Sequence, residues 1–179
     1  MSTLSEDAVL LTKKWLREVV IGLNFCPFAA KPFRDEIIRY NVVTSGGLQI
    51  ALETLIKECM MLESNEGIET TLIIFPHQFG DFKSYLQLVD YAEQLLQKED
   101  YEGVFQVASF HPQYLFAGSR EDDAANYTNR SPYPMLHILR ESSLDEAISK
   151  HKNINAIPDN NIIQARTLGV EYFKKILYD

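Results

Sequence analysis

The feature that most constrains this chain is an alternation of short apolar runs with amphipathic stretches between residues 36 and 110. Glu36 to Thr44 carries Ile37, Ile38, Tyr40, Val42 and Val43 in a strand-like pattern that stops at Ser45-Gly46-Gly47. Leu48 to Leu62 follows with helical periodicity, placing Leu48, Ala51, Leu52, Leu55, Ile56, Cys59 and Met60 on one broad face. Thr70 to Phe75 is a nearly continuous apolar run, as expected for a strand covered on both faces, and Pro76 ends it just before His77. Asp81 is placed to cap a helix running to about Lys98, and Gly103 opens a third strand that runs through Phe110 to His111-Pro112. Parallel neighbours cannot be joined by tight turns, so this order predicts a sheet with crossover helices. The expected fold class is α/β: a single domain over residues 1–179, with a mainly parallel or mixed four-stranded sheet flanked by helices.

The flanks complete that picture. Ser5 is read as the N-cap of an N-terminal helix over 5–22, with Glu6 and Asp7 in its first turn, a stripe of Val9, Leu11, Leu16, Val19 and Val20, and Gly22 at its end. Trp15 is read as core packing. Residues 111–134 are expected to form a long loop, since Gln113 to Pro134 shows no period, while Tyr114, Leu115, Phe116, Tyr127 and Tyr133 offer anchors against disorder. Met135 to Glu141 is read as a fourth strand in preference to a helical turn, and Ser143 to Glu146 as a capping box that starts a short helix. A polar link around Asn153 to Asn160 leads to a C-terminal helix over 161–178.

Composition narrows the function classes. With 46% apolar residues the chain can bury a core, and its net charge of -8 argues against nucleic acid or an acidic membrane surface as the main partner. Two cysteines, Cys26 and Cys59, make neither a disulfide framework nor a zinc spacing, which fits a reducing, cytoplasmic setting. No apolar run reaches the roughly 18 to 20 residues that span a bilayer. The sequence specifies no oligomeric state.

Strands that point the same way end on one edge of their sheet, so Ser45-Gly46-Gly47, His77 and His111 are expected to meet there, where open α/β sheets bind ligands. His111 and His137 are the acid/base candidates, because imidazole titrates near neutrality; a loop-bonded His111 or a satisfied core His137 is the competing reading. Asp122 and Asp123 would orient a histidine or act as a base, unless they are merely solvated. His77, His111 and His137 with an aspartate would form a metal set, although no short ligand spacing marks one. No organic cofactor motif appears, and a divalent metal stays an open alternative. Asn126, Asn129, Arg130 and Tyr133 form the densest run of hydrogen-bonding groups. Stiffened by Pro132 and Pro134, they would recognise a small anionic metabolite, with His77 beside them, or else tie the long loop to itself. Ser45-Gly46-Gly47 would offer backbone amides to the same anion. Cys26 precedes Pro27, and a turn starting there would put the thiol at an N-cap as a nucleophile, against the alternative of a packed thiol.

Two long strings carry a resemblance: Val20-Ile21-Gly22-Leu23-Asn24-Phe25-Cys26-Pro27-Phe28-Ala29, and Phe110-His111-Pro112-Gln113-Tyr114 onward. The second runs through Asp122-Asp123 and Asn126-Tyr127-Thr128-Asn129-Arg130-Ser131-Pro132-Tyr133-Pro134-Met135-Leu136-His137. The chain resembles, over nearly its whole length, the family catalogued as domain of unknown function 1415, which brings no activity, substrate or catalytic residue with it. The residues themselves lead to three expectations. The first is a small-metabolite enzyme of hydrolase or proton-transfer type without an organic cofactor, in which His111 works with Asp122 or Asp123 while Arg130, Asn126 and Asn129 hold the substrate. The second is a non-catalytic small-molecule-binding or regulatory module. The third is a protein-interaction domain that exposes Tyr114, Leu115 and Phe116.

Overall fold

A computed structural model describes residues 3–150 and 153–178. Its strands are β1 (Ile38–Val42), β2 (Thr70–Ile74), β3 (Phe105–Phe110) and β4 (Met135–Arg140). The helices are α1 (Leu4–Trp15), α2 (Ala30–Arg34), α3 (Gly47–Ser64), α4 (Phe82–Lys98), α5 (Glu141–Lys150), α6 (Ile157–Leu168) and α7 (Val170–Tyr178). One mixed sheet runs in the order β1-β2-β4-β3. β1 pairs parallel with β2, while β4 lies antiparallel to both β2 and β3. Three strands therefore point the same way and end on one edge, as the alternation of residues 36 to 110 requires. The long loop leaves from that edge at Phe110 and returns to it at Met135, its register partner in β4.

Two apolar layers clamp the sheet. β2 is buried along its whole length. Ile73 and Phe75, with Leu136 and Ile138 of β4, pack against Leu55, Cys59 and Leu62 of α3 and Tyr85, Leu88 and Ala92 of α4. Leu72, Ile74 and Met135 meet Ala8 and Trp15 of α1, Val19 and Val20, and Ala165 and Phe173 from the last two helices. Cys59 is fully buried, as its place on the apolar stripe predicts, and burial pushes its thiol pKa up to about 12.

Element ends differ from expectation where backbone chemistry outweighs side-chain pattern. Thr3 rather than Ser5 caps α1, in a capping box with Glu6. α1 then continues as a π-helix over Leu16–Ile21, a register change that the apolar spacing does not reveal. Residues 30–34 wind into α2. The expected C-terminal helix is two helices, broken at Gly169 (φ 79, ψ 162), a conformation that L side chains rarely adopt. α5 starts at Glu141, ahead of the expected capping box, directly after β4.

Two polar knots hold α3 to the sheet. Glu58, buried on α3, accepts from Arg39 Nε at 2.7 Å, Asn41 Nδ2 at 2.7 Å and Thr71 Oγ1 at 3.2 Å. Arg140, the last residue of β4, donates to the carbonyls of Leu62, Asn65 and Ile68, placing a cation on the C-terminal end of α3. Arg140→Ala is expected to cost about 2 kcal/mol of unfolding free energy, because it strands several carbonyls, and urea denaturation read by circular dichroism checks this.

Candidate functional site

At the strand-end edge the glycine turn after β1 is already occupied by protein. Gly46 (φ 108) has no room for a Cβ, which would meet Ile50 Cγ1 at 2.4 Å. The adjacent Gly47 N–H donates to Gln78 Oε1 at 2.6 Å, and Gln78 Nε2 donates to the Val43 carbonyl at 3.0 Å. One side-chain amide thus stitches the β1 and β2 loops and takes up a backbone amide expected to meet an anion. His77, next to it, is exposed.

His111 does reach this edge, but its ring is fully committed. Gln113 N–H donates to Nδ1 at 2.9 Å, so Nε2 carries the proton and donates to the Phe79 carbonyl at 2.8 Å. Phe79 sits at φ 57, a strained setting for a bulky residue, and that bond helps hold it. The ring is buried, 4.8 Å from Tyr85 and 5.1 Å from Phe82 between centroids. Burial lowers its pKa, with the Phe79 carbonyl and then Asp81 opposing. Such a ring is a strut between two loops, with no nitrogen free to move a proton.

His137 lies on the opposite face of the sheet, its ring 6.2 Å from that of Phe110. The Thr70 hydroxyl donates to the Ile138 carbonyl and accepts from His137 Nε2 at 2.7 Å. Burial pushes the His137 pKa down to about 4. The proposed metal set is not assembled: among the described residues no three His, Cys, Asp or Glu side chains converge as ligands.

Nor does either loop carboxylate hydrogen-bond to His111. Asp122 is exposed and paired to Arg120 through both oxygens, at 2.9 and 3.0 Å. Asp123 accepts from Ala125 N–H at 2.9 Å, capping the 3₁₀ turn Ala124–Thr128, and from Arg166 of α6 at 3.1 and 2.7 Å. Hydrogen bonds from Arg166 and then Ala125 hold its pKa down at about 2. The four charges of Arg120, Asp122, Asp123 and Arg166 border a shallow open depression of about 470 Å³, where they neutralise one another.

The recognition run is likewise turned inward. Arg130 donates to the carbonyls of Tyr114 and Glu121, both at 3.1 Å, and lies 4.6 Å from the Tyr127 ring centroid. Asn126 is fully buried, accepting from Phe116 N–H at 3.1 Å and donating to the Arg120 carbonyl at 2.8 Å. Asn129 Nδ2 donates to the Ser109 carbonyl at 3.2 Å. Tyr133 is half-buried, which raises its pKa, and its own carbonyl accepts from the Ser131 hydroxyl. These side chains close the long loop on itself, the competing reading weighed above. Tyr114, Leu115 and Phe116 are half-buried and do not project as a free patch.

What the loop does build is a groove of about 330 Å³. One wall is Val20, Phe25 and Cys26; a second is Phe110, Phe116, Thr128 and Asn129; the third is Ile157, Pro158, Asn161 and Ile162 of α6. The π-helix delivers the first wall, since both Phe25 N–H and Cys26 N–H point to the Val20 carbonyl, at 2.9 and 3.4 Å. Cys26 sits at the head of a turn closed by the Ala29 N–H to Cys26 carbonyl bond at 3.2 Å, the arrangement expected from Pro27. Burial nevertheless raises the thiol's pKa, and the amides of Phe28 and Ala29 offset only part of that. Cys26 is thus a neutral, weakly polar group in an apolar wall. Ile157 and Pro158 lie where the sequence predicts a polar link, and Asn161 and Ile162 where it predicts the start of the C-terminal helix; Pro158, in the first turn of α6, is the signal for the earlier start.

The chain belongs to the family described as Protein of unknown function (DUF1415), whose model matches residues 7–175. No curated protein and no solved structure matches it.

Proposed function

For a member of a family that brings no activity with it, we propose a small-molecule-binding module whose ligand occupies the Cys26 groove. The observation that carries this reading is the groove itself: a concave, largely apolar space with a few polar groups, which is the usual make-up of a ligand pocket. Its size and walls suit a small amphipathic molecule, with an apolar body against Phe25, Phe110, Phe116 and Ile162 and one polar end toward Asn129 or Asn161. A binding role is favoured over acid/base catalysis because both nitrogens of His111 are bonded to backbone and, among the described residues, no histidine or carboxylate lines the groove. The chain is incubated with a metabolite extract and analysed by native mass spectrometry. One apolar-bodied compound should be retained, with at least about tenfold weaker retention by Phe116→Asp, which places a charge in the wall. Retention of nothing, or equal retention by the variant, would defeat the reading. Conversion of a compound would return the enzyme.

A further inference from the structure

Resting on that reading of the groove, we infer that the first two turns of α6 are its gate, opening as a local unit while the end of the helix stays anchored. Four of the groove's lining residues, Ile157, Pro158, Asn161 and Ile162, come from this half of α6 at the spacing of a single helix face. Little else holds it. Ala165 is the helix's one buried residue, whereas Pro158, Asp159, Asn160 and Ile163 are exposed. The helix follows directly on the 3₁₀ turn Ile154–Ala156, and no side chain caps its start at Ala156. Among the described residues, a single side-chain hydrogen bond crosses from this half to the opposite wall: Asn161 Nδ2 to the Phe25 carbonyl, at 2.7 Å.

The other half is fixed. Ala165 packs in the apolar layer with Tyr127 and Phe173, and Arg166 makes its two-pronged bond to Asp123. Gly169 then separates α6 from α7, so α7 can keep its packing through Phe173 while α6 moves. Asn161 is thus a latch, Ala165 and Arg166 the pivot, and the groove is covered by a half-helix in which no residue from 157 to 164 is buried, where local opening is cheap.

The two thiols supply the test without any ligand, which keeps its outcome separate from that of the binding experiment. Cys26 lines the groove, and Cys59 is fully buried in the other layer and reports opening of the whole fold. Under iodoacetamide the full chain should modify Cys26 well before Cys59. Asn161→Ala should speed Cys26 modification about fivefold, the scale of one lost, partly exposed hydrogen bond, and leave Cys59 unchanged. Equal rates at the two thiols, or a Cys26 rate indifferent to Asn161→Ala, overturn the gate. Should the variant fail to fold, amide exchange of the unmodified chain decides. Exchange over 157–164 that outpaces β2 and is insensitive to low urea supports the gate, and exchange that tracks β2 refutes it.

Discussion

His111→Ala is expected to lower the unfolding free energy by about 3 kcal/mol, through a cavity between Tyr85 and Phe82 and the loss of two partly buried hydrogen bonds. The Phe79 carbonyl and the Gln113 amide would lose their partner, and the strained Phe79 turn would lose a tie. Urea unfolding followed by tyrosine and tryptophan fluorescence measures the cost. A variant as stable as the parent would mean that the ring is no strut, and the acid/base role expected from the sequence would regain its standing.

Acid should unfold this protein earlier than its carboxylates require. His137 is neutral in the fold with a pKa lowered to about 4, against about 6.5 when unfolded, and His111 is lowered as well. A base whose pKa falls on folding contributes stability that is whole above the unfolded value and drains as pH drops toward the folded one. Between pH 6.5 and 4 the His137 contribution is about 3 kcal/mol, since the unfolded chain takes up the proton that the fold refuses. Urea midpoints measured across that window should fall steeply for the parent. His137→Leu should flatten much of the slope, whatever it does to stability at pH 7. Asp123, held near 2 by Arg166 and Ala125, acts in the same sense at lower pH, losing its contribution between the ordinary carboxylate value and about 2.

Much of the architecture was legible because it rests on periodicity. The nearly continuous apolar run from Thr70, the Asp81 cap and the glycine stop after β1 each express a backbone requirement in residue type, and the common edge of three strand ends follows from topology alone. The site was less legible, because a polar side chain does not announce which way its partners lie. Arg130 and Asn126 have the chemistry of ligand-binding groups and spend it on the carbonyls and amide of their own loop. Gln78 and Arg140 are ordinary polar residues in the sequence and become the stitches of two junctions. The groove draws on residues from three distant stretches, and of its lining only Cys26, Phe116 and Asn129 are residues to which the sequence assigns a functional reading.

The position of β4 carries a consequence for how this polypeptide is made. β3 passes over a vacant slot in the sheet, and residues 135–140 fill it only later along the chain. Until the ribosome has released that segment, β2 and β3 each present an unpaired apolar flank in the very middle of the future core. The nascent chain must therefore carry an open central seam from the emergence of β2 until β4 follows, a period in which holding chaperones and slow aggregation compete for the same exposed edges.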